Sequence, residues 1–173
     1  MPRSRLSRDE IKELAGLFAD LLKYIHNMRS KHSIAKNIQL PKIPTGLSES
    51  LAIHLLEDNR ILKDVRADTF VFGGKKANIL ANAAVFAKSI KIEVKATGQS
   101  AFQYLGERDI SADYLVWVHF GDYFVNAGNG FIEIFTVSNP HQYFAEPVKI
   151  TLRRFKEATQ EGLQAFRLTI NDL

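Results

Sequence analysis

The sequence predicts a single α/β (α+β) domain with a mixed central β-sheet flanked by helices. Three observations lead there. Two amphipathic helical patterns lie in the first sixty residues, and alternating or wholly apolar strand patterns follow over residues 69–137. The remainder mixes the two periods, an order that layers helices on a sheet. The chain of 173 residues, 46% hydrophobic and 24% charged, is long enough for one sizeable core and too apolar for wholesale disorder. Within it, residues 1–47 read as an N-terminal helix and basic arm, and residues 48–173 as the core, together one compact domain.

The first helix opens on Ser7-Arg8-Asp9-Glu10, a serine N-cap with glutamate three residues on. Ile11, Leu14, Phe18, Leu21, Leu22, Ile25 and Met28 follow at helical spacing, to about Ser30. Residues 31–47 hold two prolines, a glycine and several lysines, and read as a linker or arm. A second helix is expected from Ser48, with Leu51, Ile53, Leu55, Leu56 and Ile61 near helical spacing. Thr69–Phe72 reads as a short strand and Gly73-Gly74 as a turn. Residues 77–80 and 83–86 are expected to supply two antiparallel strands before the next one.

That next strand, Ile90–Thr97, alternates strictly over residues 90–96, which predicts one buried and one solvated face. Ile90, Ile92, Val94 and Ala96 point inward, and Lys91, Glu93 and Lys95 point outward. Residues 100–108 look helical or irregular. Residues 114–120 (YLVWVHF) are almost wholly apolar and predict a central strand buried on both faces. A turn over residues 126–130 and a strand over 131–137 come next. In the last segment Val148, Ile150 and Leu152 alternate, as do Phe166, Leu168 and Ile170, around a possible helix at 155–165.

Composition excludes several functions. The chain has no cysteine, hence no disulfide, thiolate metal site or cysteine nucleophile. Its five histidines, His26, His32, His54, His119 and His141, show no metal-ligand pairing, and His119 reads as a packed residue in an apolar strand. No apolar stretch approaches a membrane span, and the basic N-terminus is not followed by a signal-like apolar region, so a cytoplasmic protein with no membrane partner is expected. The formal charge of +4 and pI near 9.3 permit a polyanionic partner without requiring one. Arg3, Arg5, Arg8, Arg29, Lys31, Lys36 and Lys42 concentrate in the first quarter, where they could contact phosphates.

Glu93 and Lys95 carry the chemistry. A carboxylate and an ammonium on one strand face can hold a divalent cation and orient a water beside a phosphodiester. An isolated Glu-x-Lys is usually an ordinary solvated face, but its surroundings here are specific. A glutamate-bearing helix, a glycine turn, Gly-Lys-Lys-Ala-Asn-Ile-Leu, the Glu-x-Lys strand, a glutamine and Asp109-Ile110-Ser111-Ala112-Asp113 succeed one another over residues 48–121. That succession resembles the PD-(D/E)xK nuclease superfamily, and within it the type II restriction endonucleases. The resemblance implies a restriction-endonuclease-like core, an Mg²⁺-dependent deoxyribonuclease acting on double-stranded DNA, and a homodimer, since one site per chain must cut two strands.

In that family an aspartate at a strand end joins the Glu-x-Lys of the next strand at the metal. Glu93 and Lys95 match the second half. The first half departs, because Asn78, fifteen residues upstream of Glu93, stands where the aspartate is expected. Its neutral amide suits a hard cation poorly. Three readings are compatible with this: an engineered Asp→Asn change, a natural asparagine in a weak or dead enzyme, or an acid elsewhere, with Asp68 the best candidate. The first is favoured, and Asn82 fits the position less well than Asn78. The resemblance further implies a helix glutamate at the metal water or lysine, which is Glu49, with Glu57 in reserve. Glu49 is equally suited to a helix's first turn. The expected metal ligands are thus Asn78 and Glu93, the catalytic set Asn78, Glu93, Lys95 and Glu49, and the DNA contacts Lys75, Lys76, Gln99, Gln103, Lys31 and Lys36. A repair or recombination nuclease with the same core, or a binding module that has lost the acid, are the alternatives.

Overall fold

In the computed structural model, which describes residues 4–99 and 102–173, the chain opens on helix α1 (Arg8–Lys31). The capping box forms as expected. Ser7 Oγ accepts from the Glu10 amide at 3.2 Å, and Glu10 Oε2 accepts from the Ser7 amide at 2.7 Å. These bonds satisfy N–H groups that have no partner inside the helix. Ile11, Ala15, Ala19, Leu22 and Ile25 form its buried stripe.

The segment after α1 is more ordered than its prolines suggest. A 3₁₀ turn occupies Ser33–Asn37, and helix α2 (Thr45–Glu57) begins ahead of Ser48, with Pro44 as its N-cap. Gly46 reads as a breaker but falls in the first turn, where an amide has no helical bond to lose. Glu49 therefore sits in the second turn of α2, and no acidic residue lies in the first. The expected first-turn dipole contact is corrected accordingly. Residues 47–56 are all buried, so the polar ones need partners. Ser50 Oγ accepts from the Leu6 amide at 3.0 Å, and His54 Nε2 meets the Leu6 carbonyl at 2.9 Å.

Strands β1 (Thr69–Phe72), β2 (Ile79–Asn82) and β3 (Ile90–Thr97) form an antiparallel meander. The chain then crosses over through strand β4 (Phe102–Leu105) and the short helix α3 (Glu107–Ile110) to β5 (Tyr114–His119), which pairs with β3 in parallel. Helix α4 (Gly121–Val125) leads to β6 (Phe131–Ser138), antiparallel to β5. Strand β7 (Val148–Thr151), helix α5 (Leu152–Ala158) and β8 (Gln164–Thr169) complete the chain. The main sheet has the order β1-β2-β3-β5-β6-β8, and β4 pairs with β7 in a separate two-stranded sheet. This is the mixed central sheet flanked by helices that the sequence predicts.

Each face of the sheet has its own core. On one, α1 and α2 pack on Ile79, Ala81, Ile92, Val94, Val116, Val118, Ile132 and Ile134. On the other, Leu115, Trp117, Phe135 and Val137 meet Leu105, Ile110, Phe144, Ile150 and Phe155 from the α3, β4–β7 and α5 layer. Trp117 and Phe155 lie 4.9 Å apart between ring centroids. As predicted, β5 is buried on both sides.

The second layer changes the reading of β3. The face expected to be solvated is covered, Glu93 is wholly buried and Lys95 is half-buried, leaving Lys91 exposed. The period-2 pattern set which residues share a face but not what covers it. Other local expectations shift too. Residues 83–86 form a turn with Val85 86% exposed, not a strand. Residues 102–105 are strand β4, because β7 offers an edge to pair with, whereas residues 100–101 lie outside the described set. Helix α5 starts and ends earlier than the 155–165 expected, capped by Thr151 Oγ on the Arg154 amide at 3.3 Å. Helix α4 is absent from the sequence reading. Among the described residues no helix is long and apolar enough to cross a membrane.

Candidate active site

The β1–β2 turn delivers Asn78. The Gly73 amide bonds to the Asn78 carbonyl at 3.0 Å, and Gly74 takes φ +61°, where glycine is at ease. A side chain at Gly73 would bring Cβ to 2.6 Å from the Ala77 carbonyl oxygen. Because Ile79 pairs with Ile92, Asn78 falls opposite Glu93. Its amide N–H points to Glu93 Oε1 at 3.3 Å, its Oδ1 accepts from the Val94 amide at 2.8 Å, and its Nδ2 donates to Glu49 Oε1 at 2.7 Å. The backbone N–H of Val94 can face only the carbonyl end of the side chain. The NH₂ end must therefore face Glu49. Three of the four catalytic candidates thus meet across α2, the start of β2, and β3.

The fourth, Lys95, is held from the other side. Helix α3 presents Arg108 and Asp109, a charge pair complementary to Glu93 and Lys95. Arg108 Nε lies 2.9 Å from Glu93 Oε1, and its Nη2 donates to Oε2 at 3.1 Å, a bidentate pair. Lys95 Nζ lies 2.8 Å from Asp109 Oδ2, which also accepts from the Gly106 amide at 2.7 Å. The remaining oxygen, Asp109 Oδ1, is buried without a hydrogen bond among the described residues. Burial pushes the Glu93 carboxyl above the usual range, and Asp109 adds to this. The Arg108 charge and hydrogen bond, with the Asn78 amide, act against the rise.

This donor set does not fit a divalent cation as it stands. Among the described residues no three His, Cys, Asp or Glu side chains gather in a way that would hold one. The amide NH₂ of Asn78 and the guanidinium of Arg108 already supply positive ends to Glu49 and Glu93. A carboxylate at position 78 would instead bring a third acid to the pair, the oxygen-rich set hard cations take.

The reserve candidates lie elsewhere. The Asp68 amide bonds to the Asn82 carbonyl and its Oδ2 accepts from the Ala84 amide at 3.0 Å. That places Asp68 at the far end of β2, roughly 13 Å along the strand from Asn78 at about 3.3 Å per residue, so it is not the site's missing acid. Asn82 is likewise at that end, bonded to Ser89 Oγ. Glu57 is about 12 Å along α2 from Glu49 at about 1.5 Å per residue, and pairs with Arg5. Gln103 Nε2 donates to the Ala96 carbonyl at 2.6 Å, and Gln99 Nε2 lies 3.0 Å from His26 Nε2. Lys75 and Lys76 are exposed on the turn beside Asn78, and Lys31 and Lys36 are exposed at the end of α1 and in the 3₁₀ turn. Much of the N-terminal basic charge is committed internally: Arg8 pairs with Asp58 at 2.7 Å and Arg29 donates to the Ile38 carbonyl.

The sequence reading missed Arg108 and gave Asp109 no partner, although an adjacent Arg-Asp pair ahead of a buried strand is a natural complement to Glu-x-Lys. It also missed a polar chain further along the same face of β3. Trp117 Nε1 donates to Thr97 Oγ1 at 2.8 Å, and Thr97 Oγ1 lies 2.8 Å from His119 Nδ1. Burial lowers the His119 pKa, against the pull of Glu133 and a backbone hydrogen bond at Thr97. Thr97→Val is expected to strand the buried indole N–H and cost about 1–3 kcal/mol, measured by thermal or urea melting. Thr97→Ser, which keeps the hydroxyl, restores most of it.

Compared with known protein families, with curated proteins and with solved structures, the chain matches none of them.

Proposed function

We propose that this chain carries a nuclease site of the PD-(D/E)xK kind, on a restriction-endonuclease-like core, in a form that binds DNA without cutting it. The observation that carries this reading is the meeting of Glu49, Asn78 and Glu93 from three separate elements, with Lys95 beside them. A surface Glu-x-Lys pair would have no reason to be buried against a second glutamate and an amide. The order of helix, antiparallel meander, crossover and parallel strand agrees with it.

The form with aspartate at position 78 is a type II restriction-like endonuclease that hydrolyses phosphodiesters in double-stranded DNA with Mg²⁺, as a homodimer. In the present chain Asn78 favours the binding-module variant of that reading, because its NH₂ group takes the place of positive charge beside Glu49. Lys95, freed from Asp109, would face the developing phosphorane charge or the attacking water. The test is plasmid DNA of mixed sequence with and without Mg²⁺. Asn78→Asp should nick or linearise it and the parent chain should not. Absence of cleavage by Asn78→Asp on any duplex, with the protein folded, sinks the nuclease reading.

A further inference from the structure

Beyond Lys95, the same face of the sheet runs into an open cleft of about 980 Å³. Its floor is His119 and Glu133, directly paired across β5 and β6. Gln99, Gly121 and, from α5, Arg153, Arg154 and Lys156 also line it. We infer that this cleft holds the sugar–phosphate backbone of the DNA strand that passes Glu93 and Lys95. The inference rests on the nuclease reading and adds to it the path of the substrate.

Charge is the first support. Three cations line the cleft against one carboxylate, and Glu133 is already met by Arg167 at 3.2 Å. The Arg154 guanidinium and the Lys156 ammonium make no ion pair among the described residues. The Lys156 ammonium instead lies 4.9 Å from the centre of the Phe135 ring, a cation–π contact that leaves its charge uncompensated by any carboxylate among the described residues. Arg153 pairs with Glu157 at 3.0 Å, with its side chain 87% exposed, an exchangeable partner.

Position is the second. Lys95 and Thr97 share a strand face, about 7 Å apart at two residues, and Thr97 touches His119 on the cleft floor.

The third is a polar ring fixed in the lining. Buried Thr97 takes the Trp117 N–H at 2.8 Å, and its Oγ1 lies 2.8 Å from His119 Nδ1, which holds the ring in place. A side chain at Gly121 would collide with the ring's Nε2, so only glycine fits beside it. The guanidinium and ammonium donors of α5 suit phosphate oxygens.

The test is fluorescence anisotropy of a labelled mixed-sequence DNA duplex with the full chain across a salt series. Arg153→Ala/Arg154→Ala should weaken binding roughly ten-fold or more at 0.1 M salt. It should also lower the log Kd versus log salt slope by about two, near 0.9 for each phosphate no longer neutralised. Arg154→Glu alone should weaken binding further than Arg154→Ala. Melting curves matching the parent confirm that folding is intact, as expected for exposed side chains. The cleft assignment is overturned if affinity and slope stay within two-fold of the parent, or if the parent binds no duplex. Failure of Asn78→Asp to cleave, with cleft variants still losing affinity, would overturn the nuclease reading and leave the cleft in place.

Discussion

Asn78→Asp is expected to destabilise the metal-free protein and to make it both cleave DNA and gain stability from Mg²⁺. In the parent, the Asn78 NH₂ donates to Glu49 at 2.7 Å while the other end is pinned by the Val94 amide. An aspartate keeps the second bond and loses the first, setting oxygen against oxygen. One of the crowded acids must then protonate, or the group must move apart, at a cost of about 1–3 kcal/mol. For a chain of this length that is a fall in Tm of a few degrees for each kcal/mol, roughly 2–4 °C. A cation bound to the three acids reverses the loss by mass action, so Tm should rise with Mg²⁺ concentration in the variant and stay flat in the parent. Melting thus reads the site independently of turnover. A variant as stable as the parent, and indifferent to Mg²⁺, would mean that Asn78 is not where the third acid belongs.

Arg108→Ala is expected to cost about 1–3 kcal/mol near pH 8 and almost nothing at low pH. Glu93 is wholly buried, and Arg108 is its sole cationic partner among the described residues. The guanidinium is itself 49% exposed, so the pair is weaker than a fully enclosed one. The direction with pH follows from linkage. The Glu93 pKa is already raised in the folded state, since burial outweighs Arg108. The folded protein therefore binds that proton more tightly than the unfolded chain does, and stability falls as pH climbs from the ordinary glutamate range to the raised value. Removing Arg108 raises it further and stretches the window upward. The deficit of Arg108→Ala relative to the parent should open through that window and vanish below it, where Glu93 is protonated in both states. Arg108→Lys should recover part of the loss, because it restores charge but not the two-pronged bond. A deficit equal at all pH values would show that Arg108 acts through packing alone.

How much of this was legible in the sequence differs from element to element. The capping box at Ser7, the strand β1, the buried strand β5 and the alternation of β3 are local patterns, and they appear where periodicity places them. The failures come from context. Strand β4 exists because β7 lies beside it, and nothing local distinguishes Phe102–Leu105 from a loop. Glu93 is buried because a second layer arrives from residues 102–110 and 140–158. At the site, the resemblance to the nuclease superfamily singled out Asn78 and a glutamate on the second helix, Glu49, and the strand register puts Asn78 opposite Glu93. The resemblance could not indicate that Arg108 and Asp109 pair with Glu93 and Lys95, since their role depends on where the crossover lands. Asp68 was plausible by sequence distance and fails by strand register, which puts it at the other end of the hairpin.

The two-stranded sheet also has a consequence in time. Helix α3 is four residues long, too short to persist alone. It is anchored through β4, and β4 pairs with β7, Val148–Thr151. A chain emerging from synthesis can therefore form α1, α2 and the meander long before the partner of β4 exists. Until then Glu93 and Lys95 stand open to water, hydrated and unpaired. Closing so long a loop is slow relative to local steps, so the Glu93–Lys95 cluster is completed near the end of folding, when the last quarter of the chain locks it.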